Sequence, residues 1–162
     1  MPVILRRATW EDSDRLLAWR NDGETRRQSI TDALVSPEEH HAWMTRTLGG
    51  TAWRRLYIAE HDGHAIGTGR FESFASWTDI SLTVAPAHRG QGYARRIIRA
   101  LVDAAGADGL LPRLVAVVKP DNLPSLRAFL ACGFVPDLGP PPALLTLEWQ
   151  ARAARHHRCQ DD

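Results

Sequence analysis

The chain has 162 residues, of which 44% are hydrophobic and 24% are charged, as in an ordinary globular domain and unlike disordered or fibrous proteins. Its 20 Lys and Arg residues nearly balance its 19 Asp and Glu residues, so the sequence shows no overall charge for holding nucleic acid or an anionic membrane. No apolar run approaches the roughly 20 residues needed to span a bilayer.

The N-terminus and the cysteines bear on the cellular compartment. Arg6 and Arg7 come after only a few apolar residues, which leaves no room for a signal-peptide core. Cys132 and Cys159 are far apart and lack a metal-ligand spacing. We therefore expect a soluble cytoplasmic protein with reduced thiols, no metal, and no nucleic-acid or membrane partner.

The first predicted elements are one strand and two helices. A strand at residues 3–5 precedes a helix that Thr9 or Asp12 can cap, and the breaker Asn21-Asp22-Gly23 ends that helix. The segment 36–39, Ser-Pro-Glu-Glu, combines an N-cap serine, a proline at the first helical position and a capping-box glutamate. This pattern predicts a second helix that ends at about Leu48.

An antiparallel meander follows. Residues 56–59, 65–74 and 78–84 are typical of strands, and the Asp62-Gly63 pair between the first two predicts a tight hairpin turn. The third strand alternates, with Ile80 and Leu82 on one face and Asp79 and Ser81 on the other.

The rest of the chain alternates helix and strand. A long amphipathic helix follows the loop at 85–90, and the β-branched run at 114–118 is typical of a strand buried on both faces. Residues 122–132 predict a helix that Gly133 closes. Two strands, at 134–135 and 144–149, flank a linker at 140–142, and residues 151–162 form a tail beyond the domain at 3–150. The order predicts a mixed α/β (α+β) sheet with helices on its faces.

The most informative segment is the turn from Arg89 to Ala94, where a strand ends and the long helix begins. Gly90 and Gly92 let the main chain approach a ligand without an intervening Cβ. Amide N–H groups at a helix start, together with the helix dipole, favour phosphate, and Arg89 adds positive charge. The turn is therefore a candidate phosphate site.

Three other interpretations compete for this turn. A Rossmann fingerprint requires a third glycine where the chain has Arg95, and here the preceding strand belongs to an antiparallel meander. A P-loop requires Gly-Lys followed by Ser or Thr, which the turn lacks. A plain strand-to-helix turn that happens to use glycine stays open on this pattern alone.

Two motifs in their predicted frame resemble the GNAT family of acyl-CoA-dependent N-acetyltransferases. Arg89-x-x-Gly92-x-Ala94 resembles the family's pyrophosphate signature, Arg/Gln-x-x-Gly-x-Gly/Ala, directly after a strand. Farther along, Asn122-x-x-Ser125, an aromatic residue and Gly-Phe resemble the family's second element. The resemblance covers nearly the whole chain and implies the GNAT fold, a mostly antiparallel sheet with two splayed parallel strands and helices on both faces.

The resemblance implies a site for acetyl-CoA, as donor substrate, between the strands at 78–84 and 114–118. The pyrophosphate would meet main-chain amides of the turn, the pantetheine arm would pair with the first strand, and one amide would polarise the thioester carbonyl. Small enzymes of this fold are monomers or homodimers, which is the expectation here. The residues implied in donor binding are Leu82, Val84, Arg89, Gly90, Gln91, Gly92, Tyr93, Ala94, Asn122, Ser125 and Phe129.

Catalysis in this family is a direct attack of the substrate amine on the thioester, and Asp79 lies where many members carry an acidic residue. Its carboxylate could accept the amine proton directly or through water. A substrate contact and a plain strand residue are the alternatives for Asp79, and Glu72 and His40 are further candidates for the base. Ser125 is the second candidate catalytic residue, unless its hydroxyl bonds only within its own helix.

Phe129 is a departure from the family pattern. Many members have a tyrosine there, whose hydroxyl protonates the leaving thiolate, and phenylalanine cannot donate a proton. Water, Ser125 or another hydroxyl would serve instead, or the thiolate would leave unassisted, as its modest pKa permits. We therefore expect Phe129 to bind the donor without taking part in the chemistry.

The N-terminal region resembles GNAT enzymes that acetylate nucleotide-linked amino sugars, with the pseudaminic-acid pathway type as the nearest. The motifs are Leu17-Ala-Trp19-Arg20-Asn21-Asp22, Arg26-Arg27 and Ser36-x-Glu38-Glu39-His40-x-x-Trp43. Arginines could meet phosphate, and a tryptophan could stack on a ring. The implied acceptor-binding residues are Arg20, Asn21, Arg26, His40, Trp43, Glu72 and Trp77.

Other acceptors and another class of function stay open. Ribosomal-protein N-terminal acetyltransferases share the Trp-Arg-Asn start, a small drug-like amine is possible, and Trp19 and Trp43 at helical spacing also suit core packing. The chain could instead bind acyl-CoA without turnover, as a sensor or interaction module. The missing tyrosine favours that reading, and Asp79 speaks against it.

Overall fold

The computed structural model describes residues 1–50, 53–110, 113–137 and 144–149. The predicted linker at 140–142, the predicted tail at 151–162 and Cys159 lie outside the described residues. None of the helices in the described part has the length and apolar character of a membrane-spanning segment.

Within these residues the chain forms one seven-stranded sheet and five α-helices. The strands are β1 (Ile4–Arg7), β2 (Arg54–His61), β3 (His64–Ser73), β4 (Thr78–Val84), β5 (Leu114–Val118), β6 (Phe134–Pro136) and β7 (Leu145–Trp149). The helices are α1 (Ser13–Asn21), α2 (Gly23–Gln28), α3 (Pro37–Leu48), α4 (Tyr93–Ala107) and α5 (Leu123–Ala131). The strand order is β1-β2-β3-β4-β5-β7-β6, in which β4 and β5 run parallel and every other neighbouring pair is antiparallel. The predicted fold class is confirmed.

Local signals explain most of the element boundaries. The Glu39 N–H donates to Ser36 Oγ at 3.1 Å, and the Ser36 N–H donates back to Glu39 Oε2 at 2.8 Å, which is the predicted capping box. Asp62 and Gly63 both have positive φ, 51° and 77°, as a two-residue hairpin turn requires.

Helix α2 is absent from the sequence-based prediction. Asp22 ends α1, and its side chain also accepts the N–H of Thr25 at 3.0 Å. Asp22 therefore ends α1 and also caps α2, because an Asp side chain can accept the free amide N–H groups at a helix start. The prediction of only two helices before the meander is therefore wrong.

Helix α4 packs closely on one face of the sheet. Ile97 and Leu101 are fully buried there. A Cβ on Gly69 of β3 would lie 2.7 Å from the Leu101 side chain, and one on Gly67 would lie 2.4 Å from the carbonyl oxygen of Thr83. A Cβ on Gly67 would also lie 3.0 Å from the Ile97 side chain, so both glycines allow α4 to approach β3 closely.

The opposite face of the sheet is covered only in part. Helices α1 and α3 pack on β2 through a second apolar cluster, built from Ala8, Leu16, Met44, Leu56 and Ile58. That cluster includes no residue of β5, and Val117 is 39% exposed. The prediction that β5 is buried on both faces is therefore wrong at Val117, and this part of the face is open.

Candidate active site

Strands β4 and β5 diverge after their first residues. They pair only at Thr78 with Leu114 and at Asp79 with Val115. Beyond that point β4 stays paired with β3 as far as Val84, and β5 stays paired with β7 as far as Val118. The gap between the two parallel strands therefore opens toward their C-terminal ends, as the resemblance to the GNAT family implies.

The free edge of β4 faces this gap. The Thr78 N–H donates to the carbonyl of Arg113 at 2.9 Å, and main-chain groups alternate between the two sides of a strand. The main-chain groups of Leu82 and Val84 are therefore on the side of the gap, where β5 does not pair with them. An extended ligand can pair with such an edge as another strand would.

The turn after β4 offers an open cradle. Gly90 and Gly92 adopt the left-handed conformation, with φ of 74° and 77°. A Cβ built on either glycine would meet no heavy atom within 4 Å, so free space lies directly before the first amides of α4. Space, bare main chain and a helix start together fit a phosphate group.

The side chain of Arg89 links this turn to α2. Its guanidinium donates to Asp22 Oδ2 at 2.5 Å and to Thr25 Oγ1 at 2.7 Å. The bond from Arg89 and the N–H of Thr25 hold the pKa of Asp22 below its usual range. Asp22 and Thr25 are missing from the sequence-based site, because a pair 67 residues apart leaves no local signal.

The remaining residues of the turn have neighbours near the start of α4. The ring of Tyr93 lies 5.5 Å from that of His61 and 5.8 Å from that of His88, between centroids. The Gln91 side chain donates to the carbonyl of Ala87 at 3.3 Å, and Ala94 packs against the core. Tyr93 and Ala94 are thus fixed in place.

Helix α5 begins just beyond the end of β5. Asn122 Oδ1 accepts the N–H of Ser125 at 3.3 Å and caps the helix, and Ser125 is half-buried in the first turn. Phe129 is only 2% exposed, with its ring 4.9 Å from that of Phe134. Asn122 and Ser125 therefore lie at the open end of the gap, whereas the Phe129 ring belongs to the core.

Helix α2 lies across the open end of the gap. At one end Asp22 and Thr25 hold Arg89, which follows β4, and at the other end the Arg27 carbonyl accepts the Lys119 ammonium at 2.7 Å. Lys119 directly follows β5. The short helix therefore joins the ends of the two diverging strands.

Three predicted site residues come together on the open face. Glu72 and Asp79 oppose each other in the β3–β4 register. Trp77 lies two residues before Asp79, on the same face of the sheet and near enough to affect its pKa. Glu72 accepts ion pairs from Arg54 at 2.8 Å and from Arg70 at 3.5 Å. Among the described residues, no cation lies within 4.0 Å of the Asp79 carboxylate.

Burial raises the pKa of Asp79, and the negative charge of Glu72 adds to that shift. The Trp77 indole and the charge of Arg70 act in the opposite direction. The result is a carboxylate that holds a proton more strongly than an exposed one does, which suits a group that must accept one.

The predicted site residues of the N-terminal region have other contacts. Arg20 and Arg26 donate to carbonyls of the segment between α2 and α3 at 2.9 and 2.8 Å, and Asn21 bonds both main-chain groups of Val35. Arg27 pairs with Glu24. Arg20, Asn21 and Arg26 therefore hold the segment at 29–35 in place.

His40 and Trp43 belong to the layer of α1 and α3. His40 is 6% exposed, and its Nε2 lies 2.9 Å from the carbonyl oxygen of Ser13 on α1. Burial lowers its pKa. Its ring stacks on Trp43 at 5.7 Å, and Trp43 packs against the cluster under α3. Both rings therefore join the two helices.

Solved structures with this architecture include acetyltransferases with bound coenzyme A. The aminoglycoside acetyltransferase AAC(6')-Ib, solved with ribostamycin and coenzyme A, matches with a TM-score of 0.78 at 20% identity, over 100% of this chain and 99% of that one. A spermidine N-acetyltransferase from Vibrio cholerae, solved with coenzyme A and spermine, matches with a TM-score of 0.78 at 16% identity, over 90% and 92% of the two chains. At such identities the likeness shows the shared fold.

A curated relative is the mycothiol acetyltransferase of Nocardiopsis dassonvillei, which is 26% identical over 125 residues. The match covers 72% of this chain and 38% of that protein, so the chain spans well under half of its relative's length. The finer resemblance to the pseudaminic-acid pathway enzymes stays a prediction.

The family model of the acetyltransferase (GNAT) domain matches residues 3–135. That range includes the diverging strands, the turn at Gly92 and the start of α5. Because the match covers most of the chain, and the fold agrees with it, the chain belongs to the GNAT acetyltransferase domain family.

Proposed function

We propose that this protein transfers the acetyl group of acetyl-CoA to the nitrogen of a primary amine. The observation that carries the proposal is the continuous main-chain surface formed by the free edge of β4 and the turn at Gly90 and Gly92. A strand edge that ends in a phosphate cradle suits a long donor with an amide-bearing arm and a diphosphate.

The main chain would hold the donor. The edge groups of Leu82 and Val84 would bond the amides of the pantetheine arm, and the first amides of α4 would bond the pyrophosphate. Arg89 keeps its bonds to Asp22 and Thr25 and would add charge from the side. An amide of β4 that is aimed at the thioester oxygen would stabilise charge as it develops there.

Asp79 would act as the general base. The bond between the amine nitrogen and the acyl carbon forms as the carbon–sulfur bond breaks, and the nitrogen must lose a proton to the Asp79 carboxylate, directly or through one water. The raised pKa of Asp79 favours that transfer, with burial as its main cause. Glu72 is less suited to the role because two arginines already share it.

The leaving sulfur needs no strong acid. Phe129 has no hydroxyl and is buried in the core, so the proton would come from Ser125, at the start of α5, or from water. A thiolate is a good enough leaving group to depart without assistance. Within the described residues no group of three or more potential metal-ligating side chains occurs, and no step above requires one.

The finer acceptor, a nucleotide-linked amino sugar, stays a prediction. It depends on arginines that could bind phosphate, and Arg20, Arg26 and Arg27 already have partners within α2 and the segment after it. A nucleotide would have to replace those contacts. A peptide N-terminus and a small amine are the other candidate acceptors.

The test is release of free coenzyme A thiol from acetyl-CoA by purified protein, followed with a panel of amines against a blank without amine. The panel includes a UDP-linked 4-amino sugar, peptides with free N-termini, an aminoglycoside and small monoamines. Amine-dependent thiol release is the expected result. Tight coenzyme A binding with no release for any amine would contradict the proposal and favour a sensor of acyl-CoA.

A further inference from the structure

The open face of the sheet carries a row of acidic side chains beside the diverging strands. By register, Glu72 of β3 lies opposite Asp79 of β4, Asp79 lies beside Val115 of β5, and Val115 lies opposite Glu148 of β7. Glu72 and Glu148 each pair with arginine. Asp79, in the middle of the row, is the carboxylate left for a ligand.

Three exposed aromatic residues lie next to this row, around the β3–β4 turn and just before β2, and we call them the aromatic rim: Trp53, Phe74 and Trp77. The rings of Phe74 and Trp77 stack at 5.0 Å and 25°, although Phe74 is 45% exposed and Trp77 is 39% exposed. The Phe74 N–H donates to the Trp77 carbonyl at 2.8 Å, which holds the turn between β3 and β4.

Trp53 belongs to the same end of the sheet. Its carbonyl accepts the N–H of Ser73 at 2.6 Å, and its side chain is 44% exposed beneath the guanidinium of Arg54. A cluster of large exposed rings costs free energy in water and marks a binding surface.

The rim and the carboxylate form one continuous surface. Trp77 and Asp79 lie two residues apart and therefore on the same face of the sheet. The Trp77 indole is near enough to lower the pKa of Asp79, so the ring lies beside this carboxylate. An aromatic face next to a carboxylate binds an ammonium group by charge and by cation–π attraction, and it binds a flat ring by stacking. Neither feature suits a phosphate-rich acceptor.

We propose that the acceptor is an aromatic primary amine, with its nitrogen at Asp79 and its ring against the Phe74–Trp77 pair. This inference rests on the proposed acetyl transfer and narrows its acceptor to a class. A short aliphatic linker between ring and nitrogen would let both contacts form at once, because Trp77 and Asp79 are neighbours on one face of the sheet. The additional carboxylate of an aromatic amino acid would meet the acidic row and weaken binding.

The experiment compares four amines with acetyl-CoA at saturation: 2-phenylethylamine, n-butylamine, phenylalanine and a UDP-linked 4-amino sugar. We expect kcat/KM for 2-phenylethylamine to exceed that for each of the other three by at least about tenfold. The same amine is also titrated calorimetrically into the protein with coenzyme A, which measures the acceptor contact without turnover.

Substitutions separate the rim from the chemistry. Trp77→Ala should raise KM for 2-phenylethylamine about tenfold or more and leave KM for n-butylamine within about twofold. Trp77→Phe keeps a ring, so its KM for 2-phenylethylamine should stay near that of the native protein. It loses the indole N–H, which lowers the pKa of Asp79, so the fall in rate at low pH should begin at a higher pH. Trp10→Ala removes an exposed tryptophan that contacts His41, and it should change neither constant.

The outcomes distinguish this inference from the broader function. Equal or better turnover of n-butylamine, phenylalanine or the sugar nucleotide would overturn the aromatic acceptor and leave acetyl transfer intact. Unchanged calorimetric affinity in Trp77→Ala would overturn it as well. Absence of thiol release with every amine would instead contradict the proposed function.

Discussion

The two sides of the cleft are built from different kinds of group. On the proposed donor side, the edge of β4 and the turn at Gly90 and Gly92 present main-chain atoms. On the proposed acceptor side, side chains meet: Glu72 lies opposite Asp79 by strand register, and Trp77 lies beside Asp79. A main-chain site depends on local conformation, which glycine makes possible, whereas a side-chain site depends on long-range neighbours. The two sides should therefore respond differently to substitution.

The largest effect is expected on the acceptor side, from Asp79→Asn. Loss of a general base lowers kcat by about 10²–10⁴-fold, and coenzyme A affinity should stay within about twofold. The loss should be smallest at high pH, where the amine is already deprotonated. Asp62→Asn, in an exposed hairpin turn, is the matched control. Thiol release measures the rate at each pH. If Asp79→Asn showed the same fall in rate at low pH as the native protein, Asp79 would not be the general base.

The same substitution also has a predicted effect on stability. Burial raises the folded-state pKa of Asp79 above its unfolded value, so its ionisation opposes folding, and stability falls as pH rises through that window. Asp79→Asn removes this cost, and the variant should be as stable as the native protein or more so at pH 7. Urea unfolding of both proteins at pH 7 measures it.

On the donor side, Gly92→Val should weaken coenzyme A binding by about 100-fold, which is about 2.7 kcal/mol. The valine side chain would fill the open space before the first amides of α4. Gly63→Val is a close control, because Gly63 has the same φ of 77° and equally open surroundings. Both variants should lose about 1–2 kcal/mol of stability from backbone strain, and calorimetry should find weaker binding in Gly92→Val alone.

The helices over the acceptor side can be loosened without disturbing the donor side. Asp12 is 1% exposed and accepts two bonds from Arg6 at 2.7 Å. Asp12→Asn should cost about 2 kcal/mol, a value reduced because Arg6 is partly exposed. Asp14→Asn, on the exposed side of α1, should cost less than about 0.5 kcal/mol.

The stability that Asp12→Asn loses should depend on pH in a definite direction. Arg6 holds the pKa of Asp12 below its usual value, so Asp12 contributes stability above its unfolded pKa of about 3.9 and loses it as pH falls further. The difference between the native protein and Asp12→Asn should therefore shrink in urea unfolding below about pH 4. A constant difference down to pH 2 would contradict the account.

The smallest effect is expected where the two sides meet. Asp22→Asn keeps a side chain that can cap α2, but it removes the charge that holds Arg89. KM for acetyl-CoA should rise about five- to tenfold with kcat nearly unchanged. An equal fall in kcat would mean that the contact of α2 with the turn affects the chemistry and not only the donor.

The predictable parts of the molecule are those with local causes. The strands Thr78–Val84 and Leu114–Val118 agree with prediction to the residue, because apolar alternation and β-branched runs report burial directly. The turn at Gly92 also has a local signal, because its glycines stand between a strand pattern and a helix pattern. The tightly packed glycines of β3 carried a signal as well, since a glycine inside a strand pattern indicates close approach of another element.

The unpredictable parts are those whose partners lie far away in sequence. Arg20 and Arg26 have the charge for phosphate, yet they bind carbonyl groups of a nearby segment, and main-chain acceptors leave no pattern. Helix α2 is not predictable from its first residues, because Asn21-Asp22-Gly23 is typical both of the end of one helix and of the start of another. The pairing of Glu72 with Asp79 required the register of β3 and β4, which alternation alone does not determine.

The most direct test of the donor site is a titration of coenzyme A into ¹⁵N-labelled protein, followed through the backbone amide signals. The largest shifts should fall on Gly90, Gly92 and Tyr93, with Leu82 and Val84 next. Large shifts elsewhere, with these five amides unchanged, would contradict the proposed donor site.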